Sequence, residues 1–121
     1  MKRLDLPSVR AAVWTLRALL ATRSQLRRGQ IEGVRIPPPP RLPERAVRGV
    51  NAILRRRPNT CLERSLVLQR WSATFGKAPD VIIGVSGPSG SFRAHAWLDG
   101  EPDGEEQPFH ELFRIPGSRS V

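Results

Sequence analysis

Apolar residues recur at Val9, Ala12, Val13, Leu16, Leu19 and Leu20. This i, i+3, i+4, i+7 spacing predicts an amphipathic helix over residues 8 to about 28, with Arg10, Arg17 and Ser24 largely off the stripe. Gly29 follows Arg27 and Arg28, a basic end and a glycine terminator. Pro37 to Pro40 cannot be helix interior, so the run predicts a stiff extended spacer. A second helix is expected from near Pro43, with Ala46, Val47, Val50, Ile53 and Leu54 inward and Arg45, Arg48, Arg55 and Arg56 outward. Pro58 ends it. Thr60-Cys61-Leu62-Glu63 then fits a capping box, with Thr60 at N-cap and Glu63 at N3. The third helix carries Leu62, Leu66, Leu68 and Ala73 as its stripe and stops at Gly76.

Beyond Gly76 the period changes from helical to alternating. Asp80 to Val85 is rich in β-branched residues and predicts a buried strand. Gly87-Pro88-Ser89-Gly90 is a turn, Ser91 to Leu98 a second strand, and Asp99 to Gly104 a polar turn. Glu106 to Ile115 predicts a third strand, and the tail from Pro116 is expected to be loose. Helices first and an antiparallel meander afterwards is an α+β layout. With 121 residues the chain suits one domain. Within it, residues 1–56 form a basic helical region with a Pro-rich linker at 37–40. Residues 57–115 form a compact core, and 116–121 the tail.

Charge divides the chain in the same place. Of a net +9, residues 1–57 carry 14 Lys and Arg against 3 Asp and Glu, and residues 58–121 carry 6 against 8. A basic half attracts polyanions or acidic peptides. Nucleic acid is not expected, because the basic half has one aromatic residue, Trp14, and no zinc-finger or RNP-like spacing. The apolar stretch from Ala11 to Ala21 is broken by Arg17 and lacks a small-residue cleavage site before Arg23. It therefore reads as an amphipathic helix rather than a signal or membrane span. One cysteine makes no intramolecular disulfide, which points to a cytoplasmic protein.

That cysteine is also the main chemical signal. The capping box makes Cys61 the first helical residue, beside unpaired N–H groups at the positive end of the helix, a position that favours a nucleophilic sulfur. Its own amide is a candidate oxyanion donor for acyl transfer. The plainer alternative is a small buried hydrophobe. Alternation in Phe92-Arg93-Ala94-His95-Ala96-Trp97-Leu98 puts His95, Arg93 and Trp97 on one face and the alanines on the other. Small residues either side of His95 suit a strand packed closely against another element, such as the Cys61 helix. His95 is then the candidate base and acid. His110 is read as a surface residue. One cysteine and two histidines do not make a zinc site, and no glycine-rich phosphate loop leads into a helix. No metal or cofactor is expected.

The runs Cys61 to Leu68, Val81 to Val85 and Phe92 to Leu98, with His95 34 positions after Cys61, resemble the lasso-peptide leader peptidases. These are transglutaminase-like, papain-like cysteine proteases of the microcin-processing type. The resemblance covers roughly Arg57 to Ile115; the front helices are similar only in character. It implies a thiol protease that cuts the leader from a ribosomally made precursor, with a macrolactam synthetase closing the ring afterwards. It further implies a split system, in which a separate leader-recognition protein delivers the precursor peptide. The family completes its triad with an aspartate about a dozen residues after the histidine. Here Glu106 falls nearest, with Asp103 and Glu105 as alternatives, and a glutamate can orient a histidine equally well. A solvated hairpin tip is the alternative reading of that acidic cluster. Trp97, on the His95 side of its strand, is expected to line the substrate cleft or to pack as a core tryptophan. Two other classes stay open: a transglutaminase-like acyl transferase, and a non-catalytic peptide-binding module with an inert cysteine.

Overall fold

The computed structural model describes residues 5–30, 33–77, 79–86, 93–100 and 110–117. The expected turn at 87–90, most of the turn at 99–104 and the start of the third strand near Glu106 lie outside them. So do Asp103, Glu105, Glu106 and the end of the tail. Within the described residues, helix α1 spans Leu6–Arg27, α2 Val47–Arg56 and α3 Cys61–Ala73. Strands β1 (Val81–Ser86), β2 (Arg93–Leu98) and β3 (His110–Ile115) follow, an α+β architecture.

Helix α1 begins two residues earlier than its apolar period suggests. Asp5 is the N-cap, its carboxylate accepting from the Ser8 amide at 3.1 Å, and Pro7 occupies the first turn. That hydrogen bond, and Arg45 pairing with the same carboxylate, pull the Asp5 pKa down to about 2. Gly29, with φ +79, ends the helix as expected.

The inward face of α1 differs from expectation. Ser8, Ala11, Trp14, Thr15, Ala18, Leu19 and Thr22 are buried, whereas Val9, Val13 and Leu20 are exposed. Small residues take the part of that face near Ser8 and Ala12, where α2 crosses at backbone distance. A Cβ on Gly49 would sit 1.8 Å from the Ser8 carbonyl oxygen and 3.1 Å from the Ala12 nitrogen. Side chains the size of valine or leucine do not fit such a crossing. The two buried threonine hydroxyls, Thr15 and Thr22, are satisfied by their own helix, donating to the Ala11 and Ala18 carbonyls at 2.8 and 2.7 Å.

The second helix also differs at its start. Pro43 caps a short 3-10 turn, Glu44–Ala46, which leads into α2. Ala46, Gly49, Val50, Ala52 and Leu54 are buried there, and the four expected arginines point outward. The proline run packs against α1, where the Trp14 indole donates to the Pro37 carbonyl at 2.9 Å. Trp14 also meets Trp71 of α3 at 5.8 Å between ring centres, and Trp71 meets Phe75 at 5.3 Å. One buried cluster draws on all three helices and all three strands.

The sheet is antiparallel but not a meander: its order is β2-β1-β3, with β1 paired to both neighbours. On the free edge of β2 the Ala96 amide donates to the Cys61 sulfur at the start of α3. The third strand adds on the far side of β1. Val81 opposes Leu98 on one side and Ile115 on the other, and these three side chains are buried together. Among the described residues no helix is long and apolar enough to cross a membrane.

Gly49→Ala tests the close crossing by the sign of its effect. In an unhindered helix interior this change stabilises by about 1 kcal/mol. Here the Cβ meets backbone, so urea unfolding is expected to show a loss of about 2 kcal/mol or more.

Candidate active site

The loop from Arg57 to Thr60 delivers Cys61, and most of its polar groups are tied down. The Asn59 side-chain amide donates to the Leu54 and Arg57 carbonyls, both at 2.8 Å, which fixes the exit from α2. The capping box is complete. The Glu63 amide donates to the Thr60 hydroxyl at 3.1 Å, and the Thr60 amide donates back to the Glu63 carboxylate at 2.9 Å. The cap engages the third amide of α3 and leaves those of Cys61 and Leu62 as its first-turn donors.

A second tie comes from α1. The Arg23 guanidinium forks onto both oxygens of Glu63, at 3.0 and 3.3 Å, and donates to the Pro58 carbonyl at 2.7 Å. Glu63 is only 5% exposed, so its carboxylate needs this partner. Burial works against its charge. The Arg23 hydrogen bond, the Thr60 amide and the Arg23 charge together outweigh burial and hold the carboxyl below its ordinary range. Sequence reading found Glu63 as a capping residue but missed Arg23. The two lie 40 residues apart, and no local period links them.

Cys61 is half-buried, a free thiol at the head of α3. Its sulfur lies 3.4 Å from the Ala96 amide nitrogen, so it touches β2 at the residue following His95. The buried Ala96 is what allows a helix end to approach that strand. His95 and Trp97 are half-buried on the other face of β2, stacked at 5.6 Å between ring centres and 17° between planes. The stack restricts the imidazole's rotation and gives it an apolar wall. Opposite His95 in the register is the buried Gly84, so no β1 side chain crowds the imidazole from that position. A thiol and first-turn amides at a helix start, touching the strand residue that follows a histidine, are groups that acyl transfer uses. Glu106, Asp103 and Glu105 lie outside the described residues. His110, at the first position of β3, pairs with Val85.

A family model described as the transglutaminase-like superfamily matches residues 6–114. The match takes in the front helices as well as the cysteine, the histidine and the sheet. No curated protein and no solved structure matches the chain.

The Glu63 network sets an acid limit. A carboxyl with a lowered pKa in the folded state adds stability above its unfolded pKa, near 4.3, and loses it as pH falls through the folded value. Unfolding midpoints followed below about pH 4 are expected to drop more steeply for the wild type than for Glu63→Gln. Arg23→Ala leaves a buried carboxylate unpaired. It is expected to destabilise more than Thr60→Ala, which loses one cap at about 1 kcal/mol. Both are read by denaturant titration at pH 7.

Proposed function

Because the chain belongs to the transglutaminase-like superfamily, we propose that it is a cysteine peptidase that removes the leader from a lasso-peptide precursor. One observation carries the peptidase reading: the Cys61 thiol, first in a fully capped helix, rests on the strand residue next to His95. The leader-peptidase assignment draws on the resemblance of the Cys61, β1 and His95 segments to that family.

In this reading His95 takes the thiol proton while the Cys61 sulfur attacks the carbonyl carbon of the scissile bond. The carbonyl electrons move onto oxygen, and the Cys61 amide, a first-turn donor, stabilises that oxyanion. The tetrahedral species collapses, the C–N bond breaks, and His95 returns its proton to the leaving amine. A water then gives its proton to His95 and attacks the thioester, releasing the leader's carboxylate and the free thiol. The freed amine is the N-terminus of the core peptide, the group that a macrolactam synthetase uses next. Glu106 is assigned to orient His95. The half-buried Trp97 flanks the imidazole and lines the cleft for the residue beside the cut. A separate leader-recognition protein brings the precursor to the site.

Mass spectrometry of a precursor encoded beside this chain, with the neighbouring recognition protein added, tests the reading. A single cut is expected, lost by at least about a thousandfold in Cys61→Ala and His95→Ala. Glu106→Gln is expected to lower kcat more than Asp103→Asn or Glu105→Gln. Trp97→Ala is expected to raise KM. Transfer of the acyl group to an added amine, without hydrolysis, would assign a transferase instead. Full cleavage by Cys61→Ala would remove the cysteine mechanism.

A further inference from the structure

Helix α1 wears its larger apolar residues on the outside. At 3.6 residues per turn, Leu6, Val9, Val13 and Leu20 fall on the face opposite Ala11, Thr15, Ala18 and Thr22. They are 72, 43, 49 and 67% exposed. Solvent exposure of four aliphatic side chains in one line, about 21 Å long, is a contiguous patch rather than the scattered surface leucine of an ordinary helix.

The patch has a shape and a charge. Beside it runs a groove of about 490 Å³, walled by Val9 and Val13 on one side and by Pro37, Pro38 and Pro40 on the other. The Trp14 indole, fixed by its bond to the Pro37 carbonyl, forms part of the wall. Arg10 and Arg17 also line it, and among the described residues no acidic side chain does. The whole of α1 carries four arginines and no carboxylate. Arg23 is spent on Glu63, whereas Arg10 and Arg17 enter no ion pair among the described residues. They stand seven residues apart, about 10.5 Å along the axis.

We propose that this face of α1 is a docking surface for a partner protein that lays an acidic amphipathic helix along it. Apolar residues of the partner cover Val9, Val13 and Leu20, and two of its carboxylates, seven residues apart, meet Arg10 and Arg17. Helix-in-groove recognition works through such a stripe of anchors, and the charge pair sets orientation and register. The surface runs toward the nucleophile: Leu20 lies three residues before Arg23, whose guanidinium holds the Pro58 carbonyl and Glu63. The proposal rests on α1 and the proline run alone and is independent of the peptidase reading.

The test uses the full chain and a fluorescently labelled synthetic helical peptide, with leucines on one face and glutamates at i and i+7. A second peptide carries lysines in place of the glutamates. Anisotropy titration is expected to show saturable binding of the glutamate peptide, at least about tenfold tighter than the lysine peptide. Val13→Asp and Leu20→Asp, both at exposed positions, are each expected to weaken binding at least about tenfold. Arg17→Glu is expected to invert the preference between the two peptides. Circular dichroism melts confirm that the variants stay folded. Absent binding, equal binding of both peptides, or binding untouched by Val13→Asp would each overturn the proposal. Sedimentation that shows a wild-type dimer lost in Val13→Asp would overturn it in favour of a second copy. Retention by phosphatidylglycerol vesicles that is lost in Val13→Asp would overturn it in favour of a lipid surface.

Discussion

A single buried carboxylate, that of Glu63, holds the candidate site together. It accepts from the Thr60 amide, so the chain turns into α3 at a fixed angle, and from Arg23, so α1 is locked to that turn. Neither tie is interchangeable with a surface ion pair. The carboxylate is out of water, and its charge survives there only because an arginine fork and an amide replace the hydration it lost. The exposed pairs elsewhere, such as Lys77 with Glu44, lack that leverage because water competes for both partners. Cys61 owes its position to this arrangement, being the first of the two residues between the capping threonine and the buried glutamate.

Helix α3 begins against β2, with the Cys61 sulfur accepting from the Ala96 amide where another strand's carbonyl would otherwise sit. Strand β3 pairs on the other side of β1, so β2 and β3 both run antiparallel to it. The pairing of β1 with β3 shifts register between Ile83 and Gly84, next to the position that faces His95. A bulge there bends the sheet beside the candidate base, a place where irregular strands commonly serve a site.

Local chemistry was legible in the sequence wherever it is itself local. The capping box, the glycine stop at Gly29, the outward arginines of α2 and the alternation that sets His95 with Trp97 all involve residues within a turn or a few strand positions. The inward face of α1 was not legible, because it is decided by Gly49, some 40 positions away. A valine stripe looks like a core until another backbone is known to pass where it would have to fit. The strand order escaped for the same reason: a meander is the short-range guess, and an occupied edge is a long-range fact. Asp5 and Pro7 are different. Their cap and first-turn signals were present in the sequence and pointed to the earlier helix start that the structure has.

The pairing of Arg23 with Glu63 also orders events in time. Contacts between distant residues form only after the intervening chain has paid its loop-closure entropy, so they come late in folding. Capping of α3 is local and early, but the clamp on the loop before Cys61 waits for α1 to dock. Cys61 is held in place by the same step that docks α1, which keeps a half-folded chain from presenting an organised candidate site.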